Sequence, residues 1–121
     1  MARILVVDDE AQIRILLRQV LIKDGYEVDE ASNGNIALKK FRENPFDLVI
    51  MDLIMPDKEG LETILELKKE FENVKIIAIS GGGRIGPEDY LKYAKGFGAL
   101  HTLTKPIENA ELLKAIRDVL N

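Results

Sequence analysis

Short apolar runs alternate along the chain with longer stretches in which apolar residues recur every three or four positions. "RILVV" (Arg3–Val7), "DLVIM" (Asp47–Met51) and "VKIIAI" (Val74–Ile79) are nearly continuous in strand-forming residues. Such runs predict central strands of a sheet covered on both faces. "YEVDEA" (Tyr26–Ala31) alternates instead, which predicts a half-exposed edge strand. "LHTLT" (Leu100–Thr104) is a weaker, fifth strand candidate.

The intervening stretches read as helices. Ile13, Leu16, Leu17, Val20 and Leu21 fall on one helical stripe, and Gly25 lies just past its end, where a C-terminal glycine belongs. Ala37, Leu38 and Phe41 make a short second stripe closed by Pro45. Leu61, Ile64, Leu65 and Phe71 mark a third helix; Tyr90, Leu91, Ala94 and Phe97 a fourth; Leu112, Leu113, Ile116 and Leu120 a fifth. Five strand–helix units in succession predict an α/β fold, an open parallel sheet with helices on both faces. The length of 121 residues suits one domain spanning 1–121.

Composition narrows the function. Hydrophobic residues make up 46% and charged residues 31%, and the formal net charge of −4 argues against direct nucleic-acid binding or an anionic membrane surface. No apolar run approaches the roughly 20 residues that span a bilayer. The start "MARILVVDDE" ends in acids and does not read as a signal peptide. With no cysteine there is no disulfide framework or thiolate metal site, which fits a reducing, cytoplasmic setting.

In sheets of this kind the functional site lies beyond the carboxyl ends of the strands. The predicted strands end in Asp8-Asp9-Glu10, Asp52, Ser80 and Lys105-Pro106. Each has an ordinary alternative: an Asp after a strand is often a helix cap, Ser80 a loop hydroxyl, Lys105 a solvated charge. All would have to hold at four strand ends together. Clustered carboxylates repel by about 4 kcal/mol per pair at about 4 Å and an effective dielectric near 20. A divalent cation with oxygen ligands, Mg²⁺ or Mn²⁺, relieves that repulsion. The set suits phosphoryl transfer to a carboxylate, with Asp52 as nucleophile and Lys105 and Ser80 contacting the phosphoryl oxygens.

"VVDDE", "MDLIMPDKEG" (Asp52, Met55, Pro56, Gly60), Ser80, Gly98-Ala99 and "TKP" together resemble the response-regulator receiver (CheY-like) domains of two-component phosphorelays, over essentially the whole chain. The resemblance implies a flavodoxin-like sheet of strand order 2-1-3-4-5. It implies that Asp52 accepts a phosphoryl group from a phosphohistidine on a sensor histidine kinase or histidine phosphotransfer protein. It also implies Mg²⁺ held by Asp8, Asp9, Asp52 and the backbone carbonyl of Ile54, and a cis Lys105–Pro106 peptide. The face made by the fourth helix, fifth strand and fifth helix would pass the signal to a downstream protein. The apolar Ile54 would not orient a water, which implies a long-lived phosphorylated form.

Two features depart from the family pattern. Thr102 occupies the place where the family usually has a switching aromatic, and the neighbouring His101 points to the opposite face. The stretch "SGGGRIGP" after the fourth strand is long and glycine-rich. Gly81, Gly83 and Gly86 have dinucleotide-motif spacing, but the acid expected about 20 residues on is missing, and Pro87 stands where a P-loop needs lysine. Gly81, Gly82 and Gly83 are then either a tolerant surface loop or a hinge beside Ser80. The expected function is a phosphorylation-dependent signalling switch rather than an enzyme. Its rivals are a pseudo-receiver that binds protein constitutively and a haloacid-dehalogenase-like phosphatase. The latter calls for Asp-x-Asp, whereas Asp8 and Asp9 are adjacent.

Overall fold

A computed structural model describes residues 2–53, 60–81, 92 and 95–121. Its strands are β1 (Arg3–Val7), β2 (Glu27–Ala31), β3 (Leu48–Asp52), β4 (Ile76–Ser80) and β5 (His101–Thr104). They form one sheet of order β2-β1-β3-β4-β5, parallel throughout. Helices α1 (Ala11–Lys23), α2 (Gly34–Glu43), α3 (Gly60–Glu70) and the C-terminal helix (Asn109–Leu120) flank it. Lys92 and residues 95–97, in the predicted fourth helix, are helical; Tyr90, Leu91 and Ala94 lie outside the described residues.

The near-continuous apolar strands have the predicted cause. Leu5, Val7, Val49, Met51, Ile76 and Ala78 face one core, packed with Ala37, Leu38 and Phe41 of α2 and Ile64 and Leu67 of α3. Their alternates Ile4, Val6, Leu48, Ile50, Ile77 and Ile79 face a second core with Leu17 and Leu21 of α1 and Leu112 and Ile116 of the C-terminal helix. A central strand buried on both faces cannot alternate apolar with polar. β2 sits at the edge and grades from exposed Glu27 to buried Ala31.

Local chemistry sets the helix ends. The Asn33 side chain caps α2 by accepting from Ile36 N–H at 2.9 Å. α1 closes with Gly25 at φ +95°, Gly25 N–H donating to Ile22 O and Tyr26 N–H to Leu21 O. This paired pattern needs a left-handed residue, which glycine adopts without strain.

Three stripe residues prove exposed, Leu16, Leu65 and Phe97, the last at 41%. Leu16 is 58% exposed and Leu65 40% exposed, while Thr63 and Leu67 are fully buried. α1 rests on the sheet through Leu17 and Leu21, so its Leu16 side turns toward the groove beside the C-terminal helix. On α3 the residue three after Ile64, not the one next to it, meets the core.

Candidate functional site

β1, β3 and β4 deliver Asp8, Asp52 and Ser80 to the carboxyl edge of the sheet. All three are buried, at 1%, 3% and 0% exposure. Asp8 follows the last residue of β1. Its N–H still donates to Ala31 O at 3.2 Å, and its Oδ1 accepts the Glu10 N–H at 2.9 Å. Asp52 is the last residue of β3, and the next residue stays tied to β4 through Leu53 N–H and Ile79 O at 2.9 Å. Ser80 ends β4, and its carbonyl accepts the Lys105 N–H at 2.9 Å.

Lys105 gathers the acids. Its Nζ lies 3.1 Å from Asp8 Oδ2, 3.4 Å from Glu10 Oε1 and 3.7 Å from Asp52 Oδ2. The contact to Asp8 Oδ2 is an ion pair, and beyond it that oxygen, like Ser80 Oγ, is buried without a hydrogen-bond partner among the described residues. Burial pushes the Asp8 carboxyl above its ordinary pKa; the Glu10 N–H and Lys105 pull it back only in part, and Asp9 adds to the rise. Burial also works against the Lys105 ammonium, but the charges of Asp52, Asp8 and Glu10 outweigh it and raise its pKa.

Asp9 is exposed beside this buried group, and carboxylate oxygens of Asp8, Asp9 and Glu10 lie within 4.8 Å of one another. The donors are all hard oxygens, and Asp8 Oδ2 is buried without a hydrogen-bond partner. That combination fits a small divalent cation. The carboxyl edge thus carries a carboxylate, an ammonium and a hydroxyl, with an acidic cluster beside them.

Some predicted residues add less. Ile54, Gly82 and Gly83 lie outside the described residues, so neither the carbonyl ligand nor most of the glycine loop enters this geometry. Gly81 does: a Cβ there would lie 2.5 Å from Lys105 Cβ, so glycine lets the lysine stem pass. Thr102 pairs with Ala78 and His101 with Ile77, both side chains half-buried. The Lys105–Pro106 peptide is cis. Three roles were not read from the sequence: Glu10 shares Lys105, Arg14 grips the Asp8 carbonyl, and Gly60 packs its backbone on Asp52. Glu10 stood out only as a strand-end acid and Gly60 only as part of the family motif, and Arg14 carried no signal.

The model of the response regulator receiver domain matches residues 4–117. The chain is 37% identical over 120 residues to the chemotaxis protein CheY of Bacillus subtilis, covering 98% of each chain. A receiver domain structure from Clostridium thermocellum superposes with a TM-score of 0.92 at 35% identity, covering 100% of this chain and 95% of that one. A response regulator protein of Thermotoga maritima, solved in complex with Mg(2+)-BeF, superposes with a TM-score of 0.88 at 39% identity, covering 99% and 100%. With its strand order and the residues at its strand ends, this chain belongs to the response-regulator receiver domains of two-component systems, phosphorylation-dependent signalling switches rather than catalysts.

Proposed function

We propose that Asp52 is the phosphoacceptor of this switch and that its donor is a phosphohistidine on a sensor histidine kinase or histidine phosphotransfer protein. The observation that carries the reading is Lys105 Nζ held within 3.7 Å of Asp52 and 3.1 Å of Asp8 at one buried edge. An Asp52 oxygen attacks phosphorus, the P–N bond breaks, and the imidazole leaves. Lys105 is the ammonium placed to exchange a carboxylate for a phosphoryl oxygen, and Ser80 Oγ is a buried hydroxyl with a hydrogen bond to give. Asp8, Asp9 and Asp52, with the Ile54 carbonyl, would hold Mg²⁺ or Mn²⁺, which when bound supplies positive charge to offset the phosphoryl group. The unit acting in this way spans 1–121.

The donor has a landing place beside the acids. A groove of about 670 Å³, lined by Ile13, Leu16, Val20, Pro106 and Ile107, opens next to Lys105. The downstream protein is assigned to the face of the fourth helix, β5 and the C-terminal helix, where Phe97 is 41% and Leu100 55% exposed. Among the described residues no helix is long and apolar enough to cross a membrane, and the reading places the protein in the cytoplasm.

The test is the intact mass of the protein after incubation with acetyl phosphate, with and without Mg²⁺, beside Asp52→Asn. One added phosphoryl group that needs both Mg²⁺ and Asp52 is expected. No adduct under any condition would turn the reading to a constitutive binding scaffold; turnover of a phosphate ester would turn it to a phosphatase.

A further inference from the structure

The acidic turn after β1 is held from behind by a side chain that touches none of the proposed reacting groups. Arg14 Nη1 of α1 donates to the backbone carbonyl of Asp8 at 2.7 Å. Its Nε bonds Glu30 Oε1 on β2 at 3.2 Å, and the other Glu30 oxygen takes Arg18 Nη1 at 3.3 Å. The Arg14 side chain is 17% exposed and that of Glu30 26%, so the pair is sheltered enough to persist. Glu30 stands opposite Val6 in the ladder, so it is referenced to the sheet and not to a loop.

The consequence falls on Asp8. Its Oδ1 is committed to the Glu10 N–H, and Oδ2 faces the acids and Lys105. The carbonyl that Arg14 grips belongs to the Asp8–Asp9 peptide, which leads the chain into the turn whose Glu10 N–H holds Oδ1. Without the grip, mutual repulsion of Asp8, Asp9 and Glu10 would splay the turn.

We infer that Arg14, braced by Glu30, is a positioning residue that holds the Asp8–Glu10 turn in the geometry that binds a divalent cation. This rests on the receiver-site reading above. The inference makes a prediction of opposite sign to simple charge. Removing a cation from beside an acidic cluster should by Coulomb's law tighten Mg²⁺ binding. Removing a positioning group should weaken it, by about tenfold or more for groups that orient metal ligands.

The experiment is calorimetric titration of the metal-free protein with Mg²⁺, comparing wild type, Arg14→Met and Arg14→Lys, at a temperature where circular dichroism shows each to be folded. Arg14→Met is expected to raise the Mg²⁺ Kd about tenfold, with Arg14→Lys, which keeps the charge and one donor, recovering part of the loss. Unchanged or tighter binding by Arg14→Met, in a wild type that binds Mg²⁺, would overturn this inference alone. If Arg14→Met does not fold, Arg14→Lys decides by the same rule: weaker binding supports the inference, unchanged or tighter binding overturns it. A wild type that binds no Mg²⁺ would overturn the site reading and the inference with it.

Discussion

Asp8 is the residue where structure and proposed function pull apart. It is a buried carboxylate whose ionised form is disfavoured by burial more than it is helped by the Glu10 N–H and Lys105. Its folded pKa lies above the ordinary 3.8, so at pH values above that folded pKa its charge costs stability. Below about 3.8 both folded and unfolded chains are protonated there and the cost vanishes. Metal-free Asp8→Asn should therefore melt at a higher temperature than wild type near pH 7. The advantage should shrink as pH falls through the folded pKa and disappear below about 3.8. Melting curves from pH 3 to 8 check this; an asparagine variant that melts lower at pH 7 would contradict it. Such a cost is retained where a site needs a charge ready for a ligand.

Between elements, the strand β3 and helix α3 meet without a side chain between them. A Cβ on Gly60 would collide with the Asp52 carbonyl oxygen and lie 2.7 Å from Leu53 Cα. Both are backbone and cannot rotate away, so α3 would have to move off the end of β3, beside Asp52. Gly60→Ala is expected to destabilise by about 3 kcal/mol, an overpacking cost, and to slow formation of the phosphoryl adduct. Gly25→Ala is the comparison. It meets nothing within 4 Å but keeps φ at +95°, so it should cost about 1–2 kcal/mol and leave adduct formation unchanged. Urea unfolding with the mass assay separates the two. Gly25 was legible in the sequence because a helix stripe ended just before it. The packing role of Gly60 was not, because close approach of two backbones has no local signature.

At the scale of the whole molecule, two cores on opposite faces of one sheet decide which apolar residues matter. Leu21 is fully buried against that sheet; Leu16, on the same sequence stripe, is 58% exposed. Leu21→Ala should lose about 2–5 kcal/mol. Leu16→Ala should stay within about 0.5 kcal/mol of wild type and, as a groove residue, weaken capture of the phosphodonor protein. Denaturant midpoints measure the first pair of values, and phosphotransfer rate against donor concentration the second. Equal destabilisation by both would show that α1 sits differently on the sheet. Periodicity by itself settled the class of fold, because a strand buried twice must be apolar at every position and an amphipathic helix must repeat near 3.6. It also brought Asp8, Asp52, Ser80 and Lys105 to one edge, since in a parallel sheet all strand ends of one kind lie together. Tertiary structure alone decided the rest. Which side of α1 is wet depends on its neighbours. That Lys105 serves three carboxylates at once depends on residues as far apart as Lys105 and Glu10, 95 positions along the chain, meeting at 3.4 Å, and Arg14 reaches back 6 residues to the Asp8 carbonyl at 2.7 Å. No pattern along one chain encodes a distance across the fold.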